Sequence, residues 1–284
     1  MAATLTDTDP MAFYLGTHQP AWLTKAAVPL FVSHRRLVGR TRLPRAATSW
    51  ALDSGGFSEL SLHGEWQTDP AEYVYWVDRY DREIGRLGWA APQDWMCEPF
   101  MLAKTGLTVG EHQERTVENF VRLLTLWDGM QAQYLRPCDR NSCPFMPVLQ
   151  GWTLADYWRC VDLYAQAGIR LADYPLVGLG SVCRRQGTGE IDTIVRSLGA
   201  VLPLHGFGCK TTGLAQYGRW LTSADSMAWS LAGRREPGCR PGHRSEANCL
   251  RYALDWHARI LHSLDTDEHH QQLDLFPAVP RGAA

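Results

Sequence analysis

The sequence has very few lysines: Lys25, Lys104 and Lys210 are the only three. Its positive charge is carried by arginine, whose planar fork suits phosphate, although base composition of the coding DNA would give the same usage. Long apolar runs are also missing. The stretches 28–32 and 145–149 fall far short of the roughly 20 residues that cross a bilayer, and the N-terminus lacks the basic-then-apolar order of a secretion signal. The chain therefore reads as soluble and cytoplasmic, with no membrane partner. Nor is there a dense cysteine framework: eight cysteines are spread over positions 97, 138, 143, 160, 183, 209, 239 and 249, which excludes a small disulfide scaffold and leaves most as reduced thiols. A large charge of one sign is absent as well. With 28 cationic against 30 acidic side chains, the net charge is −2, so any contact with nucleic acid must be local.

What is present is a foldable chain of 284 residues, 45% apolar, with twelve tryptophans and ten tyrosines. Short apolar runs alternate with amphipathic stretches, without repeats or an obvious linker. Strands are predicted at 13–16, 28–33, 49–52, 89–91, 145–149, 176–179, 201–204 and 226–229. Helices are predicted at 70–85, 112–127, 153–167, 189–198, 213–220 and 250–261. Thr153 with Asp156 three residues on forms an N-terminal cap signal, and Gly168 sits where a helix ends. Alternating strands and helices over this length imply an α/β fold with a parallel sheet. A (β/α)8 TIM-type barrel is the leading architecture and an open doubly wound sheet the alternative. One domain is expected over residues 12–265, between mobile tails at 1–11 and 266–284.

Polar residues recur where the strands end. Asp53 opens Asp53-Ser-Gly-Gly-Phe57, Asp94 follows the strand at 89–91, and Gln150 follows the strand at 145–149. Gly178-Leu-Gly-Ser181, His205-Gly-Phe-Gly208 and Asp225 come after. Each alone has a dull reading: an ordinary turn at Asp53, a helix cap at Gln150, a satisfied core histidine at His205. Together they deliver three carboxylates, an amide and an imidazole to one rim, the face on which barrel enzymes build their sites.

In order and rough spacing these motifs resemble the tRNA-guanine transglycosylase (queuine tRNA-ribosyltransferase) superfamily, over about residues 13–260. The likeness is nearest to its short DpdA-like members, which are linked to deazapurine insertion into DNA. The resemblance implies a pentosyltransferase that replaces a guanine in DNA, or less favoured in tRNA, by a free 7-deazaguanine base. Asp225 matches the nucleophile that would hold the sugar covalently, and Asp53 the group that moves the proton of the departing and arriving bases. A guanine edge needs acceptors for N1–H and the 2-amino group and a donor for O6. Asp94 supplies the acceptor, and Gln150 with backbone N–H groups around Leu179 and Gly180 the donors. Ser54, Gly55 and Gly151 complete the expected base-binding set, with Trp95, Met96 and Phe57 as candidates for an apolar sandwich. A non-catalytic relative of the same fold and an unrelated retaining glycosidase are the competing readings. The first does not need both Asp53 and Asp225, and the second leaves Gln150 and the 178–180 loop unexplained.

The tRNA enzymes carry three close cysteines and a distant histidine for zinc. Here the corresponding stretch offers Cys239, His243, Cys249 and His257, ligand types suited to a closed zinc site but not a standard spacing. Zinc is thus the expected cofactor, with no organic one, in a segment at 234–260. Seven arginines between 219 and 259 face four acids there, which makes Arg234 and Arg235 the expected phosphate contacts. A second copy of the chain or accessory DNA-modification proteins are the further partners considered.

Overall fold

The computed structural model describes residues 11–133, 143–183, 185, 188–209 and 211–274. Eight parallel strands form one sheet: β1 Ala12–Thr17, β2 Leu30–Ser33, β3 Trp50–Asp53, β4 Leu87–Ala90, β5 Val148–Leu149, β6 Val177–Leu179, β7 Leu204–Gly206 and β8 Ser223–Ser226. Their order is β4-β3-β2-β1-β8-β7-β6-β5. The order runs round the chain without reversing, which rules out the doubly wound alternative, whose strand order turns back at a switch point. Among the described residues, the end of β4 meets the chain just before β5 at a single parallel bridge, between Ala90 and Phe145. There Ala90 N–H donates to Pro144 O at 2.7 Å and Met146 N–H to Ala90 O at 3.1 Å. The sheet is therefore curled, but its ends meet at one bridge and not along a ladder, so the expected barrel stands as an eight-stranded, curled parallel α/β sheet.

The strands are short and, apart from β7 and β8, mostly apolar because both faces are covered. Around them lie α1 His34–Leu37, α2 Gly56–His63, α3 Pro70–Ile84, α4 Pro99–Thr105, α5 Val109–Gln133, α6 Leu154–Gln166, α7 Gly189–Gly199, α8 Thr211–Tyr217, α9 Ala228–Gly233 and α10 Leu250–Asp274. Local sequence explains the better-defined helix ends. Asp69 accepts from Ala71 N–H at 2.7 Å with Pro70 in the first turn of α3. Thr153 and Asp156 form a reciprocal capping box on α6, and Gly168 follows it at φ +77°.

Three expectations shift. Residues 201–202 are not strand: Leu202 N–H donates back to Leu198 O at 2.9 Å, prolonging the turn of α7, so β7 begins at Leu204. The apolar run at 226–229 divides, its first residue closing β8 and Trp229 entering α9. Trp229 is fully buried there and its Nε1–H donates to Gly16 O at 2.8 Å, which folds α9 back over β1. Finally, α10 runs beyond residue 265 to Asp274, because no glycine or proline interrupts the chain before Pro277. The rest of the expected C-terminal tail, from 275, and residues 1–10 lie outside the described residues. No described helix is long and apolar enough to cross a membrane.

Trp229→Phe should keep most of the ring contacts but leave the buried Gly16 carbonyl without its donor. We expect a loss of about 1–3 kcal/mol, read as a lower urea midpoint with an unchanged slope; wild-type stability would show that the bond contributes nothing.

Candidate active site

At the C-terminal ends of the strands lies a cavity of about 310 Å³ whose wall includes Asp53, Asp94, Glu98 and Asp225. Two of these carboxylates follow directly from strand geometry. Asp53 closes β3, and its Oδ1 accepts from Gly55 N–H at 3.1 Å. That turn needs Gly55 at φ +83°, a region that side chains avoid. Burial raises the Asp53 pKa; the Gly55 and Ser33 hydrogen bonds oppose this, the Asp225 charge adds to it and the Arg35 guanidinium offsets it. Asp225, in β8, is buried, and its Oδ1 accepts from Gly208 N–H at 2.8 Å. His205 Nε2 lies 3.4 Å from the same oxygen but makes no aligned hydrogen bond. The ring is held between Trp89, at 4.6 Å, and Phe207, at 4.7 Å, and its Nδ1 meets Ser223 Oγ at 2.8 Å. If Nδ1 accepts that hydroxyl, Nε2–H is turned toward Asp225.

Asp94 and Gln150 belong to a buried polar chain. Gln150 Nε2 donates to Asp94 Oδ2, while Gln150 Oε1 meets Ser181 Oγ at 2.7 Å. Ser181 Oγ also accepts from Cys97 N–H at 2.7 Å and lies 3.0 Å from Glu98 Oε2. Ser181 is held at φ +58°, a strained conformation for a residue with a side chain, and this directs its hydroxyl into the chain. Gly180 is required beside it: a Cβ there would stand 2.3 Å from Gln150 Nε2.

Helix α5 supports the Asp94 loop through one of its faces. His112 Nδ1 meets Met96 O at 2.7 Å, Thr116 Oγ1 accepts from Trp95 N–H at 2.9 Å, and Asn119 Nδ2 donates to Gln93 O at 2.7 Å. The neighbouring Gln113 donates to Gln150 O at 2.7 Å. Positions three and four apart on a helix share a face, so a single helix fixes both the loop and the amide.

Ser54, Met96 and Phe57 line the cavity as well. Other expectations change. Gly180 is on the wall, but its N–H donates to Leu149 O at 3.0 Å and its carbonyl accepts from Tyr157 Oη at 2.7 Å, so it has no spare donor for a base. Leu179 belongs to the core. Gly151 stands behind the wall, where a Cβ would press on Asp156 and Tyr157 of α6, and Gly55 lies beneath the Arg35 stem. Trp95 turns away, edge-on to His112 and under the Arg115 guanidinium at 4.6 Å. The sequence reading assigns no role to Glu98, nor to Ser181 and Phe207 inside the motifs it singles out, nor to Phe31 and Met227; all five are on the wall.

Cys239, His243, Glu246 and Cys249 place one ligand atom each within 4.8 Å of one another. Cys239 Sγ lies 3.7 Å from Cys249 Sγ and 3.6 Å from His243 Nδ1. Tetrahedral zinc with Zn–S near 2.3 Å and Zn–N near 2.0 Å would set its ligands about 3.5–3.8 Å apart, so the group could hold a metal ion and is compatible with zinc. Glu246 replaces the expected His257. That histidine is buried against Phe13, and its Nε2 bonds Phe13 O at 2.9 Å, pinning α10 to β1. A tight turn at Gly238, where a Cβ would strike the His243 backbone, folds the loop so that its ligands converge. Arg234 and Arg235 are exposed just after α9.

One family, DpdA (DeoxyPurine in DNA protein A), matches residues 10–276. No curated protein matches the chain.

Two outcomes test this geometry. Burial raises the Asp94 pKa from 3.8 to about 7, against the pull of its Gln150 bond. Folding therefore binds a proton between those values, and the contribution of this group to stability is full below about pH 4 and lost as pH rises through 7. Asp94→Asn should accordingly raise the melting temperature at pH 8 by about 5 °C more than at pH 5; an equal change at both would contradict the shift. At the second site, elemental analysis should find metal in wild type and in His257→Ala, the variant being destabilised by about 1–3 kcal/mol without losing metal, and none in a Cys239→Ser, Cys249→Ser double variant. Loss of metal from His257→Ala would restore His257 as a ligand.

Proposed function

The chain belongs to the DpdA family, and on that premise we propose that it exchanges a guanine of DNA for a 7-deazaguanine base. The observation that carries this reading is the meeting of Asp53 and Asp225 at one cavity whose wall also presents the Asp94–Gln150 pair. In the proposed reaction the Asp225 carboxylate attacks C1′ of the target nucleotide as the C1′–N9 bond breaks, leaving an aspartyl-sugar ester. Asp53, whose raised pKa favours the protonated form, gives its proton to the departing guanine. The incoming base returns a proton to Asp53 from its N9–H and displaces Asp225 from C1′. No oxidant, reductant or organic cofactor enters the balance. Gly208 N–H holds the nucleophile in place, with His205 Nε2 3.4 Å from the same oxygen.

Asp94 accepts from the N1–H and 2-amino edge of the base in this reading, and the Gln150 amide addresses O6 once its bonds are rearranged by the ligand. The target nucleotide must leave its stack to reach the cavity. Zinc is the metal proposed for Cys239, His243, Glu246 and Cys249. None of the four lines the cavity, so its proposed contribution is to cross-link the loop after α9 to the start of α10 and to add folding free energy.

Asp225→Asn should lower incorporation of labelled base into a guanine-containing oligonucleotide by about a thousandfold or more, with no denaturation-resistant protein–oligonucleotide species. Asp53→Asn should cost about 10²–10⁴-fold while still allowing some adduct. Normal turnover by Asp225→Asn would overturn the mechanism, and incorporation into tRNA but not DNA would overturn the substrate.

A further inference from the structure

Between residues 10 and 52 the sequence contains no aspartate or glutamate, but it carries Lys25, Arg35, Arg36, Arg40, Arg42 and Arg45. The fold brings the middle of this segment to the cavity. Strand β2 ends at Ser33, a wall residue, and α1 begins at once, so Arg35 and Arg36 follow within three residues of the wall. The Arg35 stem lies across the Asp53 turn, on the space that a Cβ at Gly55 would occupy, 2.8 Å from Arg35 Cγ. Arg40 Nε donates to Arg36 O at 2.7 Å, which holds the two arginines close together. Both are exposed; beyond them Thr41 O accepts from Arg79 Nη2 at 3.3 Å and Ala46 N–H donates to Ile84 O at 2.9 Å, toward the C-terminal end of α3, which takes Arg42 and Arg45 away from the cavity.

Ion pairing separates these arginines from others. Arg79, Arg82, Arg122, Arg159, Arg170, Arg185, Arg196 and Arg251 each lie within 4 Å of a carboxylate. Among the described residues, Arg36, Arg40 and Arg42 form no ion pair. Arg36 and Arg40, close behind the wall in a segment without carboxylates, have the charge to hold phosphates beside the site. Beside it, Phe57 is 41% exposed at the cavity edge, with the Phe100 ring 5.8 Å away. A basic track next to an exposed ring is the pairing by which proteins hold single strands, phosphates on cations and bases on aromatic faces. The segment around Arg234 and Arg235 is a weaker candidate, since it includes Glu236 and Glu246 and its Arg251 is engaged by Asp255.

We infer that Arg36 and Arg40 carry phosphates of an unpaired DNA strand on one side of the target nucleotide, and that Phe57 stacks on the neighbouring base. The inference rests on the proposed action on DNA and adds the path of the strand and its unpaired state.

Fluorescence anisotropy of a labelled single-stranded oligodeoxynucleotide, titrated with the full chain between about 50 and 200 mM salt, tests it. Arg36→Ala with Arg40→Ala should bind about tenfold more weakly and flatten the salt slope by about 1.4, from roughly 0.7 per lost contact on a single strand, with an unchanged melting temperature. Phe57→Ala should weaken binding by about tenfold and leave the slope as it is. Wild-type affinity and slope in the double arginine variant, with the loss appearing in Arg234→Ala with Arg235→Ala instead, would overturn the track and leave the exchange reaction standing. Tighter binding to duplex than to the single strand would overturn the unpaired state. Failure of wild type to bind any DNA would overturn both the track and the DNA reading.

Discussion

The site depends on one buried amide. Gln150 sits among β5, the Asp94 loop and the turn after β6, and its side chain reaches Asp94 at one end and Ser181 at the other. A buried amide left without partners costs about 1–3 kcal/mol per unpaired group, so each neighbour is constrained in turn. Gly180 must lack a side chain, Ser181 must take a left-handed backbone, and Gln113 must cover the Gln150 carbonyl. The hydroxyl of Ser181 has one proton for two acceptors, Gln150 Oε1 and Glu98 Oε2. Cys97 N–H donates to the same oxygen, so this one hydroxyl ties the Asp94 loop to the turn after β6.

The curled sheet supplies the second constraint. Parallel strands all present their C-terminal ends on one side, so residues distant in sequence, from Asp53 in β3 to Asp225 in β8, reach one rim. Below that rim the interior is filled by aromatic rings, with Trp89, Phe31 and Phe207 about His205. They exclude water from beneath Asp225 and hold the imidazole in one orientation. The same dry floor explains why burial moves Asp53 and Asp94 toward their protonated forms.

Much of this was legible in the sequence, and the misses have physical causes. Period and caps located α3 and α6 because Asp69 with Pro70, and Thr153 with Asp156, act within one turn of chain. The strand ends carrying Asp53, Asp94 and Gln150 were found because apolar runs stop abruptly at polar residues. The short α2, α4 and α9 were missed, since six to eight residues show too little periodicity to stand out. Trp229 was read as strand because its tertiary bond to Gly16, more than two hundred residues away, is invisible locally. The fourth metal ligand failed for a similar reason. Residue type offered His257 as a fourth ligand, whereas the fold spends that imidazole on the Phe13 carbonyl and places Glu246 in the cluster.

The metal-type cluster and the cavity use different chemistry and are built from different parts of the chain. Cys239, His243, Glu246 and Cys249 converge through a tight loop, while the cavity wall draws on strand ends throughout the sheet. The link between them runs through β8 and α9, since Asp225 and Met227 are on the wall and Gly233, at the end of α9, packs directly on Glu246. Anchoring Glu246 therefore restrains the far end of the helix that follows Asp225. A metal held there would act on the site by fixing the position of α9, and through it the β8 terminus, without touching the base or the sugar.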